Sequence, residues 1–319
     1  MATLRTADEL LAHGLIAPAA LDATRAVETR YAIAVTEAVR GRIDAADDPV
    51  GRQYIPDPAE LLTAPHETAD PTADAPFTPV PGVVHRYPDR ALLKPLLACP
   101  VYCRFCFRRE HVGPGGGLLG DAALEAALAW FAANPQVGEA ILTGGDPLML
   151  SPRRLAHILG RLEALPHIHT LRIHSRVPVA DPARVTPALL AALTLDKPLY
   201  LCVHANHAQE FGPEAAAALR GLHGAGIVLL GQSVLLARVN DSVEALEGLF
   251  RTMLAHRIKP YYLHALDPAP GTARFAVPDD QARTLLRGLR RRITGLAWPT
   301  FVREAPAGAG KRPIGPSWA

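Results

Sequence analysis

Three of the four cysteines in this chain stand within eight residues of one another, in the stretch CPVYCRFCFRR at 99 to 109. Cys99, Cys103 and Cys106 have a CxxxCxxC spacing. An odd cluster does not pair off into disulfides. Structural zinc takes four protein ligands, and no His pair at finger-like spacing follows the cluster. An electron-transfer [4Fe-4S] cluster takes four thiolates, one for each iron. Three thiolates leave one iron without a protein ligand, and there a small molecule can coordinate. The bland reading is three thiols with no metal. Cys202, inside the apolar run LYLCVH, reads as an inert core thiol.

Two further stretches carry reactive residue types. The chain has only four lysines, Lys94, Lys197, Lys259 and Lys311, among 33 basic residues. Lys311 ends the small-residue stretch PAGAGKRP (306 to 313), which by itself could be an incidental lysine in a tail. TGGDP (143 to 147) could by itself be an ordinary turn.

These residues need a scaffold. With 319 residues, 49% of them hydrophobic, the chain can bury a large core. A formal charge of +2 gives no field that implies nucleic acid or an acidic membrane as partner. The start, MATLRTADELLAHGL, has no long apolar core, and no window offers the roughly 18 apolar residues of a membrane span. The chain reads as cytoplasmic, acting on a small molecule.

Residues 7 to 43 read as helical with a break near Gly14 to Pro18, since Ala20, Ala23, Val27, Tyr31 and Ala34 fall at helical spacing. The stretch from Asp47 to Pro88 is rich in Pro, Asp and Thr and reads as an irregular wrap. Beyond it, short apolar strands at 91 to 98, 140 to 143, 169 to 175, 199 to 204, 227 to 233 and 260 to 266 alternate with helices. The helices fall at 121 to 134, 152 to 164, 186 to 194, 213 to 225, 241 to 256 and 279 to 293. That is about six β-α units around a parallel sheet, open or barrelled, whose ligands sit at the C-terminal strand ends. Pro95 interrupts the first strand. The cysteines follow that strand directly, and TGGDP follows the next.

CxxxCxxC with an aromatic before its last cysteine resembles the radical S-adenosylmethionine (radical SAM) enzymes. HRYPDRALL (85 to 93), CRFCFRR, LTGGDPLM, LRIHSRVPV (171 to 179), GQSVLLARVND (231 to 241) and PYYLHALD (260 to 267) are similar, in the same order, to the lysine 2,3-aminomutase family over roughly residues 47 to 312. The likeness is greatest to the short branch linked to elongation factor P modification. The resemblance implies an α/β fold, a radical SAM partial (β/α)6 barrel with an N-terminal helical and extended segment. It divides the chain into an N-terminal wrap (1 to 84), the barrel (85 to 298) and a C-terminal segment with the pyridoxal phosphate lysine (299 to 319).

The resemblance also implies cofactors and roles. Cys99, Cys103 and Cys106 would hold a [4Fe-4S] cluster whose open iron chelates S-adenosylmethionine. Thr143, Gly144, Gly145 and Asp146 match the motif whose backbone meets the methionine amino group. One-electron cleavage would give a 5′-deoxyadenosyl radical that takes a β-hydrogen. Moving an amino group through a radical needs a π-system, which pyridoxal phosphate supplies as an imine, and Lys311 matches the family's lysine for it. Ala307 and Ala309 stand where the long mutases tend to have glycine.

Arg86 and Arg176 match positions for the cofactor phosphate, and Gln232 lies near its ring or phosphate. Arg108 matches the arginine that pairs with the substrate carboxylate. Asp267 and Glu304 match the two acids at the ammonium end, and such a pair selects a cation. The activity implied is an L-lysine 2,3-aminomutase.

Partners implied are L-lysine, an electron donor such as flavodoxin or ferredoxin, and an indirect link to elongation factor P. The chain ends eight residues after Lys311, so the zinc-bearing extension of the long mutases is not carried over. A homo-oligomer stays open. So do a glutamate 2,3-aminomutase, a radical SAM enzyme without pyridoxal phosphate, and a non-catalytic iron-sulfur carrier with Cys202 as fourth ligand.

Overall fold

A computed structural model describes residues 3–113, 116–305 and 310–316. Its frame is one sheet whose strands are hydrogen-bonded in chain order. Strand β1 (Val83–Tyr87) runs antiparallel to β2 (Arg90–Leu96). From β2 the sheet continues in parallel through β3 (Glu139–Gly144), β4 (Thr170–Ser175), β5 (Leu199–His204), β6 (Val228–Val234), β7 (Lys259–His264) and β8 (Thr300–Ala305). β9 (Gly310–Pro313) then turns back antiparallel on β8. The two edges of the sheet approach each other, because the Lys311 backbone N–H on β9 donates to the Tyr87 hydroxyl on β1 at 2.6 Å. The result is a nearly closed partial barrel with six β-α units and one added hairpin.

Helices cover its outside because each has one apolar stripe. Pro152–Glu163 begins with proline after Ser151, whose hydroxyl accepts from the Arg154 N–H. It buries Leu155, Ile158, Leu159 and Leu162, spaced three and four apart, in the main core. Val243–Ala255 does the same with Leu246, Leu249, Phe250 and Met253. Strand and helix positions match the sequence expectations to within two or three residues from 90 to 290. Pro95 lies inside β2, where the register slips between Leu93 and Leu96, as a residue without an N–H requires.

Three expectations fail. The N-terminal helical reading holds for Ala7–Ala12, Leu21–Glu28 and Glu37–Arg40, yet Tyr31 and Ala34 are not helical. Their neighbours spend backbone groups on other segments: Tyr102 N–H donates to the Ala34 carbonyl, and Val35 bridges to Leu4. Tyr31 and Ala34 still pack with Val27 against Tyr102. Strand β1 lies within the supposed irregular wrap, and β8 and β9 were not expected. All three carry charged or proline residues that blur the strand pattern. Among the described residues no helix is long and apolar enough to cross a membrane.

Candidate active site in the barrel lumen

The thiol end is built where β2 and β3 finish. The Gly145 N–H donates to the Leu96 carbonyl at 2.9 Å and the Asp146 N–H to the Ala98 carbonyl at 2.8 Å. The motif is thus stitched to the residues just before Cys99. A Cβ on Gly145 would lie 2.2 Å from the Ala98 carbonyl oxygen, and Gly144 has φ +107°. Both positions therefore demand glycine. The Asp146 carboxylate accepts from the Ser175 hydroxyl and from the Leu148, Arg176 and Val177 N–H groups at 2.7 to 3.1 Å. Burial pushes its pKa up and these donors oppose the rise.

Burial also pushes all three cluster thiols up, Cys106 to about 11 with Cys103 adding to the effect. Arg176 is buried beside them. Its guanidinium donates to Cys103 Sγ at 3.3 Å and to Gln53 and Glu210 at 2.6 Å each.

The other end is the β8–β9 hairpin. Glu304 and Lys311 are direct cross-strand partners, with Lys311 Nζ 2.9 Å from Glu304 Oε2. Gly310 makes this approach possible: its φ is +69°, and a Cβ there would lie 2.6 Å from the Tyr87 ring. Glu304 Oε1 pairs with Arg86 at 2.7 Å, Arg86 with Asp74 at 3.0 Å, and Asp74 with Arg108 at 3.0 Å. Asp267 closes the site. Burial first, then Glu304, raises its pKa to about 7 against the pull of Lys311 and Arg108.

Two cavities fill the lumen. The smaller, about 220 Å³, is lined by the three cluster cysteines, Thr143 to Asp146, Arg176, Gln232, Arg108, Asp267, Glu304 and Lys311. The larger, about 600 Å³, lies toward the strand starts, lined by Arg86, Arg90, Arg172, Tyr200, Tyr261 and Tyr262. Arg108, His174, Glu304 and Lys311 border both. Every cofactor- and substrate-binding residue expected from sequence therefore borders this lumen, whereas Lys197 and Lys259 donate to the Leu165 and Trp298 carbonyls. Arg86 and Arg176 do not converge on one anion: Arg176 serves the thiol end and Arg86 the hairpin. The loop 306 to 309, with Ala307 and Ala309, lies outside the described residues.

Sequence reasoning missed Asp74, Tyr87 and the lumen histidines. His174, His204 and His264 line the smaller cavity, each with a buried Nε2 that has no hydrogen-bond partner among the described residues. Burial holds them neutral, His264 down to about 3 with Lys311 assisting. Their signal was legible as a polar residue at the inward end of an otherwise apolar strand. Cys202 is buried as expected, but it stands on the lumen wall.

The residues fit the implied groups. Among the described residues no three His, Cys, Asp or Glu side chains converge on a single-ion site; the thiols share a cavity wall instead. Burial disfavours the free thiolates, and a bound metal's charge would offset that cost by drawing off their protons. The orphan Nε2 atoms and the aromatic larger cavity beside Lys311 suit a polar ring system.

No family model matches the chain. It is 37% identical over 298 residues to the L-lysine 2,3-aminomutase of Acetoanaerobium sticklandii, spanning 93% of this chain and 71% of that one. To the L-lysine 2,3-aminomutase of Escherichia coli it is 38% identical over 295 residues, 92% of this chain and 86% of that one. Among solved structures, Streptococcus suis SuiB bound to S-adenosylmethionine superposes with TM-score 0.51 at 14% identity, covering 68% of this chain and 50% of that one. That likeness speaks to the fold alone.

Proposed function

The chain belongs to the lysine 2,3-aminomutase family, and from that membership we propose that it interconverts L-α-lysine and β-lysine. The observation that carries this reading is the smaller cavity, whose walls hold the CxxxCxxC thiols and Lys311 together. When bound, a [4Fe-4S] cluster with S-adenosylmethionine supplies one-electron cleavage, and pyridoxal phosphate supplies the π-system across which nitrogen moves.

Cys99, Cys103 and Cys106 would hold the cluster, and the backbone of Thr143, Gly144 and Gly145 would meet S-adenosylmethionine. Lys311 would hold pyridoxal phosphate. Gln232 borders the same space. Arg176, hydrogen-bonded to Cys103 Sγ, supports the thiol end. Arg86 pairs with Glu304 at 2.7 Å, and Arg90, whose guanidinium lies 3.6 Å over the Tyr87 ring and pairs with Asp89, is a further cation on the wall of the larger cavity.

Arg108 presents its guanidinium to the substrate carboxylate. Asp267 and Glu304 receive the distant ammonium: Glu304 Oε2 holds Lys311 Nζ as the chain stands, and the ammonium would compete for that oxygen. Asp267 ionises when the cation arrives. The barrel wall and the N-terminal segment, whose Tyr54 and Gln53 are buried beside Arg176, exclude water from the reacting atoms.

The reading places the reaction in the cytoplasm, with a donor of the flavodoxin or ferredoxin kind and β-lysine feeding elongation factor P modification. A homo-oligomer is compatible with it. A glutamate 2,3-aminomutase is the alternative, and it predicts that neutralising Asp267 and Glu304 costs little activity. Anaerobic reconstitution with the iron-sulfur cluster, S-adenosylmethionine, pyridoxal phosphate and a reductant, supplied with lysine or glutamate, decides. β-Lysine from lysine supports the proposal; β-glutamate alone, or cleavage of S-adenosylmethionine with neither product, overturns it.

A further inference from the structure

Asp74 is the hub of the cation cluster, yet it comes from the N-terminal wrap and from none of the barrel strands. Its Oδ1 accepts from Arg86 at 3.0 Å and from the Thr72 hydroxyl at 3.2 Å. Its Oδ2 accepts from Arg108 at 3.0 Å and faces Lys94 Nζ at 3.6 Å. The turn that carries it is built for the purpose. Asp70 caps it by accepting from the Asp74 and Ala75 N–H groups at 2.9 and 3.0 Å. Arg86 also donates to the Thr72 carbonyl and lies over the Phe77 ring. Ala73 is held at φ +51°, in the left-handed region that a residue with a Cβ rarely adopts.

We infer that Asp74 is a positioning residue that fixes Arg108 as the receptor for the substrate's α-carboxylate. Arg86, Arg108 and Lys94 would repel one another in a half-buried corner without a counter-charge. The Asp74 carboxylate lies among all three and, with Glu304 on Arg86, lets Arg86 and Arg108 border the lumen together. Asp74 occupies one edge of the Arg108 guanidinium, while Arg108 Nε is buried with no hydrogen-bond partner among the described residues. Donors thus remain for a second carboxylate, already aimed. A strained, capped, buried turn is more than a surface ion pair requires, and its effect is to set one guanidinium's direction.

This inference rests on the amino-acid-binding reading above, and its test separates the two. Binding is measured by calorimetry on protein loaded with the iron-sulfur cluster, S-adenosylmethionine and pyridoxal phosphate but given no reductant, so that nothing turns over. The ligands are L-lysine and 1,5-diaminopentane, which has both amines and no carboxylate. Asp74→Asn is expected to weaken lysine about ten-fold or more and diaminopentane by less than about two-fold. In an Arg108→Ala background Asp74→Asn should add nothing for lysine.

Equal losses for both ligands, or no loss, overturn the inference while leaving lysine as substrate. If the Asn variant does not fold, Asp74→Glu, which keeps the charge and moves it by one methylene, must show the same selective loss at smaller size. If the wild type binds a different amino acid, the lysine reading falls. The same comparison between that amino acid and its decarboxylated amine then decides on Asp74. A wild type that binds no amino acid overturns both.

Discussion

Glu304 and Lys311 face each other across the β8–β9 hairpin with their charged atoms 2.9 Å apart. The pair ties the amine expected to hold pyridoxal phosphate to an acid expected to read the substrate ammonium. Lys311→Ala is expected to abolish the absorbance band that borohydride fixes, and peptide mapping of the reduced wild type should find the label on Lys311. Glu304→Gln should retain the band and raise the KM for lysine about ten-fold or more, because Gln keeps the shape and loses the charge.

Asp267 should make substrate binding depend on pH. Its pKa in the folded chain, about 7, lies above that of an ordinary aspartate because of burial and Glu304. Below that value the group is protonated, and a bound ammonium must expel the proton. Lysine affinity should therefore rise as pH climbs toward 7 and level off above it, with proton release detectable by calorimetry in buffers of different ionisation heat. The same shift bears on stability. The folded chain keeps a proton that the unfolded chain gives up from about pH 4 upward, so this group's effect on stability worsens as pH rises through that window. Asp267→Asn should remove both dependences.

Gly310 should tolerate no side chain. With φ +69° and the Tyr87 ring where a Cβ would go, Gly310→Ala should cost about 1 to 3 kcal/mol in a thermal melt. It should also loosen Lys311. Tyr87→Phe, which loses the hydrogen bond from the Lys311 N–H, should cost about 1 kcal/mol and broaden the cofactor band.

At the thiol end, Gly145→Ala places a Cβ against the Ala98 carbonyl and must push the residues before Cys99 away from β3. Iron retained after anaerobic reconstitution and desalting is expected to fall well below the wild-type content, while Gly221→Ala, on an outer helix with only a side-chain neighbour at 3.4 Å, should match the wild type.

The repeating strands and helices were legible because each strand from β2 to β7 is a short apolar run and each helix has a stripe of buried residues. The Lys311 hairpin was not, since Arg303, Arg312 and Pro313 mask a strand whose pairing is settled across the chain by Glu304 and Tyr87. Single motifs named the thiols, the glycines and the acids. What they could not give is which charge holds which. Asp74 sits in a stretch without periodicity, and Arg176, expected at a phosphate, is drawn to Cys103 and Glu210 by burial. Such pairings depend on contacts between segments far apart in the chain, and no local pattern encodes them.

The central claim is that the thiols and Lys311 serve one reaction on one amino acid. The most direct measurement gives the reconstituted enzyme L-lysine deuterated at C3 and follows the label by mass spectrometry. The account predicts deuterium in both β-lysine and recovered S-adenosylmethionine. Cleavage of S-adenosylmethionine with no deuterium transferred, and lysine recovered unchanged, would contradict it.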